Sequence, residues 1–505
     1  MHSALDDLLK SHAGFPRTEP FASGSLHLHT PSAVCNNTVL SGCYWVDTKR
    51  VDATMRATLT PSPTVSSLAP KSSVKPLKLF VQHPRNPAML GVPKFFGLSA
   101  FGQPSKDMRA DGRPLSTVWN ESVTLRPEQT QGLAQTHETL KAWGGAFFVA
   151  DCGFGKSVVI ARLVHEVKRR AMIVVPRLTL VHQMVEDLGG APSARPPLVS
   201  GCTVGVLQGS WEKCGEALDS ADIVVASLDS LSLFKFPQSF WETFGLVVFD
   251  EAHHMAAKTL SAILPHVPCK RIVGFSATPN RKDGLEPVLF WLLGPTSFVF
   301  QRLPSVTGKQ HTVDVRRVRG EPIENVYSWG GQLNFAEMLN SIAANESRNA
   351  RLVSIAKDLL KERGKVLLIT AFREHCNVLA DALRSEMSVT VLMARQKRKR
   401  EEETSRCIVA TYGLLEEGFD DADLDTVILC TPRSTVQQTV GRIERTKAGK
   451  MTPLVVDVVD SNSVFFAMWN KRRKFYTSRG FRILDSVDDA PPAQELDLGF
   501  VIDED

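Results

Sequence analysis

No two cysteines in this 505-residue chain are spaced C-x-x-C. The nine stand far apart, at 35, 43, 152, 202, 214, 269, 376, 407 and 430. That spacing excludes the common zinc-binding patterns, so no structural zinc is expected. An odd, scattered set in a long chain suits reduced thiols in an intracellular, reducing compartment. Long hydrophobic runs are also missing. A stretch such as "FGLVVF" (244–249) has the length of a buried strand and is far too short to cross a bilayer, so no membrane contact is expected. The chain does not open on a charged-then-apolar leader pattern. Basic residues are absent from 485–505, where eight acids stand. The formal net charge of +5 therefore hides a body, residues 1–484, that carries +13. A basic body suits a polyanionic partner, nucleic acid above all.

What is present is an alternation. From about residue 120, short β-branched runs are separated by helix-length segments: "AFFVA", "AMIVVP", "VGVLQG", "DIVVAS", "LVVFDEA" and "RIVGFSAT". A second series follows, "VLLITAF", "VTVLMA", "CIVATY", "TVILC" and "LVVDVVD". Apolar runs of this length between helices predict parallel sheets built from βαβ units. The fold class is thus α/β, with two tandem parallel-sheet domains behind a small accessory domain. The expected boundaries are an irregular region with a Pro/Ser-rich linker at 1–76, an accessory domain at 77–118, a first sheet domain at 119–305, a connector at 306–335, a second sheet domain at 336–484, and an acidic tail at 485–505.

The chemistry gathers at expected strand ends. "ADCGFGKS" (150–157) follows "AFFVA" and precedes a helical pattern. Gly153 and Gly155 allow a tight turn whose N–H groups and helix N-terminus face an anion. Lys156 would hold the β- and γ-phosphates of ATP, and Ser157 would bind Mg²⁺. A Gly-rich turn with a solvated lysine is the bland alternative. "VVFDEAHH" (247–254) pushes two carboxylates out of another strand end, Asp250 for the metal and Glu251 for the attacking water. "SAT" (276–278) ends the next strand, where Ser276 and Thr278 either cap a turn or couple the acidic loop to a moving neighbour. In "QQTVGRIER" (437–445), Gln438, Arg442 and Arg445 share a helix face, and the two guanidiniums would act as arginine fingers on the ATP. "QKRKREEE" (396–403) reads as a mixed-charge helix. "NKRRK" (470–474) either touches a nucleic-acid backbone or is solvated.

In this order the stretches resemble the motif set of superfamily 2 helicases, over about 120–468. The first motif of that superfamily begins with alanine, so Ala150 fits it. The resemblance implies two RecA-like domains that use ATP and Mg²⁺ to move on a polymer. It implies that Ala150, Asp151, Cys152, Gly153, Phe154, Gly155, Lys156 and Ser157 hold the nucleotide. "LRPEQ" (125–129) resembles the upstream glutamine motif, with Gln129 on the adenine. His253, Gly418 and Asp420, with Ser276 and Thr278, would couple the sites. Pro176, Arg177, Gln183, Thr370, Phe372 and Thr411 would touch nucleic acid. "DCGFGKSV", "DEAHHM", "EGFD" and "VPKFFGLSAFG" (92–102) are similar to the XPB-like branch, which includes helicases of large nucleocytoplasmic DNA viruses such as the poxvirus transcript-release helicase. That finer likeness implies double-stranded DNA as the polymer, a transcription apparatus as a partner, and the host cytoplasm or nucleus as the location. An RNA helicase and an ATPase switch without unwinding both stay open.

Overall fold

The computed structural model describes residues 34–63, 76–151, 153–191, 196–252, 255, 257–277, 284–300, 313–329, 331, 333–393, 405–413, 421, 423–444 and 449–485. It divides into two compact units, 1–301 and 302–505. The sequence stretches at 64–75 and 396–403 and the acidic tail from 486 lie outside the described residues.

The first unit opens with a five-stranded sheet: β1 (Val34–Leu40), β2 (Tyr44–Asp47), β3 (Val81–Gln82), β4 (Met89–Val92) and β5 (Gln103–Asp107), in the order β3-β4-β2-β1-β5. The accessory sheet therefore begins at Val34 and not near 77, and the region read as irregular supplies two of its strands. The reason is physical: "VCNNTVL" buries only scattered positions, and besides its hairpin partner β2 it pairs with β5, far along the chain, so local pattern gives little sign of it. Helix Lys94–Phe101 fastens this sheet to the rest of the unit. Phe96 meets Trp291 edge to face at 5.4 Å, and the buried Lys94 Nζ donates to the Val267 carbonyl at 2.6 Å. Burial pushes the Lys94 ammonium down to about 8.

Two short strands, β6 (Val118–Trp119) and β9 (Val199–Ser200), pair with each other. The main sheet of the unit holds β7 (Gly145–Ala150), β8 (Ala171–Val175), β10 (Val204–Leu207), β11 (Ile223–Ser227), β12 (Leu246–Phe249), β13 (Arg271–Ser276) and β14 (Thr296–Phe300). Their order is β10-β11-β8-β12-β13-β7-β14, and every pairing is parallel. The central strands are buried along their whole length, as strands covered on both faces must be. All carboxyl ends lie on one edge, with β13 between β7 and β12.

The second unit repeats the plan with β15 (Asp314–Pro322), β16 (Val366–Thr370), β17 (Val389–Leu392), β18 (Cys407–Thr411), β19 (Thr426–Leu429), β20 (Leu454–Ser461) and β21 (Arg482–Asp485). The order is β17-β18-β16-β19-β20-β15-β21, again all parallel. Strand β15 falls in the stretch read as a connector. Its "DVRRVRGEP" is half charged and contains no apolar run that would mark a strand.

Two ion pairs are sealed inside this unit. Arg348 grips Asp460 at 2.8 and 3.0 Å, and Arg472 grips Asp457 at 2.8 Å through both nitrogens, with the Tyr476 hydroxyl donating to the same carboxylate at 2.9 Å. Arg472 belongs to the "NKRRK" stretch, and it faces the core on helix Ser463–Ser478, not solvent or a polymer. Removing one partner of such a pair strands the other charge in a dry interior. Arg472→Met is expected to cost the full chain about 3–5 kcal/mol. A urea titration reads this as an earlier unfolding midpoint, and an unchanged midpoint would contradict it.

Candidate nucleotide site and polymer-facing loops

The loop after β7 turns on two glycines of positive φ, Gly153 at 78° and Gly155 at 81°. Gly155 stands immediately before helix Lys156–Val167, and a Cβ there would come within 2.7 Å of the Gln129 side chain. Helix and loop are anchored by apolar contacts. Val159, Ile160, Leu163 and Val164 are buried under the helix. Phe154 is buried too, its ring 5.7 Å from Phe148 and 4.9 Å from Phe300. The loop's exposed backbone is thus held by a buried side chain at its centre.

Gln129 takes a part that the sequence reading did not give it. Its Oε1 accepts from the Arg126 backbone N–H at 2.9 Å, closing the cap of helix Pro127–Trp143. Its Nε2 donates to the Phe154 carbonyl at 2.8 Å. One end of the amide thus closes the helix cap and the other braces the phosphate loop, where the sequence suggested adenine. Arg126 joins it: its guanidinium donates to the same carbonyl and lies 5.5 Å above the Phe154 ring. Arg126 was missed as a site residue, although it stands inside the "LRPEQ" stretch that signalled Gln129.

Two strands across the sheet edge, Asp250 continues β12, its N–H donating to the Val174 carbonyl at 2.9 Å. Glu251 follows with φ of 48°, a left-handed conformation that costs a glutamate energy and is found at sites that need a side chain aimed. Asp250 Oδ1 accepts from the Glu251 N–H at 2.9 Å. Glu251 Oε1 meets Lys156 Nζ at 3.1 Å, and that ammonium also donates to the Ala150 carbonyl at 3.4 Å. Burial first, and the neighbouring Glu251 second, push the Asp250 carboxyl up to about 7, while Lys156 opposes the shift. Two carboxylates against one lysine leave the pocket short of positive charge. A hard dication with oxygen donors from Ser157 and Asp250 fits that deficit. No cluster of three or more His, Cys, Asp or Glu suited to a metal occurs among the described residues, and Mg²⁺ commonly takes only one or two carboxylates beside substrate phosphates.

Ser276 ends β13 between these two strand ends and is fully buried. Asp151 lies in the loop, its N–H donating to the Phe300 carbonyl at 3.3 Å. Cys152, His253, Thr278, Gly418, Asp420 and Arg445 lie outside the described residues, as does the side chain of Gln438. Arg442 is half-buried on helix Gln437–Ile443 of the second unit.

Of the residues assigned to nucleic acid, Pro176 and Arg177 leave β8 at the open edge, and Arg177 is exposed at the start of helix Leu178–Asp187, which carries the half-buried Gln183. Phe372 is half-buried at the start of helix Arg373–Arg384. Thr411 and Thr370 are buried. Thr370 braces a loop from inside: its hydroxyl shares a 2.7 Å hydrogen bond with His375 Nδ1, and His375 Nε2 shares one of 2.8 Å with Asn349 Oδ1. The Ala371 N–H donates to the Thr431 hydroxyl at 2.9 Å. His375, Asn349 and Thr431 therefore shape the loop, and only the "ITAFREHC" stretch around His375 pointed to any of them.

Known proteins are similar to this chain over its first sheet domain and beyond. The family model described as "Type III restriction enzyme, res subunit" matches residues 122–281. The chain is 23% identical over 405 residues to a protein of Acanthamoeba polyphaga mimivirus provisionally named ATP-dependent RNA helicase L396, covering 79% of this chain and 76% of that one. It is 22% identical over 383 residues to QP509L of African swine fever virus (strain Badajoz 1971 Vero-adapted), also provisionally named an ATP-dependent RNA helicase, covering 70% and 73%. Among solved structures, T4 UvsW aligns over 86% of this chain and 94% of its own, at 17% identity and a TM-score of 0.34.

Lys156→Ala is expected to abolish nucleotide binding, and Glu251→Gln to keep binding while slowing hydrolysis at least ~100-fold. Equilibrium binding of a fluorescent ATP analogue beside phosphate release separates the two, and full turnover in either variant would contradict the assignment. The pH dependence follows from His375, which burial, then Arg348, push down to about 4. Its ordinary value is about 6.5, so protons bind the unfolded chain more readily than the folded one. The stability it contributes is present above pH 6.5 and is lost as pH falls toward 4. His375→Gln should flatten that limb of a stability-against-pH curve.

Proposed function

We propose that this ATP-hydrolysing enzyme belongs to the superfamily 2 helicases and is an ATP-dependent DNA helicase or translocase of the XPB-like branch, a reading supported by the matched family model and relatives. The observation that carries this is the grouping of Lys156, Glu251 and Asp250 beside a glycine-turned loop on one strand edge. Lys156 is placed to take the phosphate charge. When ATP arrives, the ammonium exchanges Glu251 for phosphate oxygens, and Glu251 is released to orient water and accept its proton. Mg²⁺, held by Ser157 and Asp250, would neutralise charge on the phosphates. Arg442, with Gln438 and Arg445, completes the turnover machinery in this reading, and His253, Ser276, Thr278, Gly418 and Asp420 transmit it.

Pro176, Arg177, Gln183 and Phe372 contact the polymer in this proposal, while Thr370 and Thr411 hold the loops that do so. Such contacts reach the phosphate backbone and carry little sequence information. The matched relatives from large DNA viruses support a role in viral transcription or genome replication, of the poxvirus transcript-release type, with the transcription apparatus as partner and the host cytoplasm or nucleus as the place. The names of two relatives favour RNA as a second reading.

A strand-displacement assay on tailed duplexes of DNA and of RNA tests the proposal. ATP-dependent displacement, or streptavidin release by translocation, is expected on DNA, and affinity should fall steeply with salt as counterions are released. Displacement confined to RNA would move the enzyme to the second reading. ATP turnover without movement on either polymer would make it a switch.

A further inference from the structure

The second unit carries an aromatic feature that the ATPase does not use. Between β15 and helix Phe335–Ala344 the chain folds back on itself, with an antiparallel bridge between Tyr327 and Leu333. The fold-back is built rather than loose. The Asn334 N–H donates to the Val326 carbonyl at 2.7 Å, and the Gly331 N–H to the Ser328 carbonyl at 2.9 Å. Asn462 ties its base, donating to the Ile323 carbonyl at 2.8 Å and to Asn325 Oδ1 at 3.0 Å. Gly331 takes φ of 73° at the turn, and a Cβ there would meet nothing within 4 Å. The tip thus stands in open space. On it Trp329 is 109% exposed and Tyr327 60%. A tryptophan bears a large apolar area, and a fold that leaves all of it in water gains nothing from it in the free protein.

Position says what would cover it. All seven strands of the sheet run parallel, so their carboxyl ends share one edge, where ligands of such sheets bind. The hairpin leaves the carboxyl end of β15. The Thr370–Phe372 loop leaves the same end of β16, three strands along, about 14 Å at the usual strand spacing. Among the described residues of this unit, the only other exposed large apolar side chains are Val378 and Met451. One or two rings on a narrow hairpin make too small an apolar surface for a stable protein interface, but they match the flat face of a nucleobase.

We propose that Trp329, with Tyr327 beside it, is a stacking platform for an unpaired base of the polymer that this unit binds. The inference rests on the nucleic-acid reading above and adds to it a residue that grips a base where the other contacts grip phosphates. Stacking of this kind tolerates any base and prefers single strands to intact duplex.

The test uses the full chain and a fluorescein-labelled single-stranded oligonucleotide, of DNA and of RNA, beside a blunt duplex of the same length. Trp329→Ala is expected to weaken single-strand binding roughly 5–100-fold while duplex binding changes less than twofold. Trp329→Phe should restore most of the loss. An oligonucleotide with 2-aminopurine should lose its quenching in the alanine variant and keep it in the phenylalanine one. Unchanged single-strand affinity in Trp329→Ala, or equal loss in both variants, would overturn the inference. Failure of the unaltered protein to bind any of the polymers would instead sink the nucleic-acid reading itself.

Discussion

The first unit depends on one electrostatic constraint, the pairing of Lys156 with Glu251 beside a second, more deeply buried carboxylate. A lysine in a dry pocket needs an anion, and Glu251 supplies one at 3.1 Å. Burial, then the neighbouring Glu251, push the Asp250 carboxyl upward against the pull of the same lysine. In the proposed reading, the arrangement balances when phosphate draws Lys156 away and a dication meets the carboxylates. The surroundings serve this need. The buried run of β7 fixes the start of the loop, the Phe154 ring pins its middle, Gln129 and Arg126 hold the Phe154 carbonyl, and the strained backbone of Glu251 aims its side chain.

The same economy appears in the second unit, where charge is used to fix position. Arg348–Asp460 and Arg472–Asp457 tie helices to β20 from inside. Net contributions of such pairs to stability are small or negative beside an apolar alternative, but breaking one is costly, so they fix a single packing. Neutral His375 works likewise, joining Thr370 at the end of β16 to Asn349 on helix Glu346–Glu362. The loop between β16 and helix Arg373–Arg384 is then rigid before any polymer arrives. Preformed loops spend less ordering entropy on binding.

Much of this was legible in the sequence, and for identifiable reasons. Every apolar run from "AFFVA" to "LVVDVVD" became a strand, because fully buried parallel strands are written as unbroken β-branched stretches. The strand-end positions of Lys156, Asp250, Glu251 and Ser276 followed directly. What escaped was either non-local or polar. Strands β1 and β2 pair with each other but also need β5 and β4, far along the chain, and β15 spreads its arginines over a strand that buries only Val315, Val318 and Gly320. Gln129 is expected on adenine, and spacing cannot show that its amide also closes a helix cap and braces the loop. Trp329 drew no notice because a lone tryptophan among polar residues reads the same whether buried or bare.

The central claim is that ATP turnover at Lys156 and Glu251 is driven by a polymer. Steady-state phosphate release with no polymer, duplex DNA, single-stranded DNA or RNA, at low and moderate salt, tests it most directly. Strong stimulation by DNA above RNA, weakening as salt rises, is the predicted result. Turnover that no polymer alters would contradict the account.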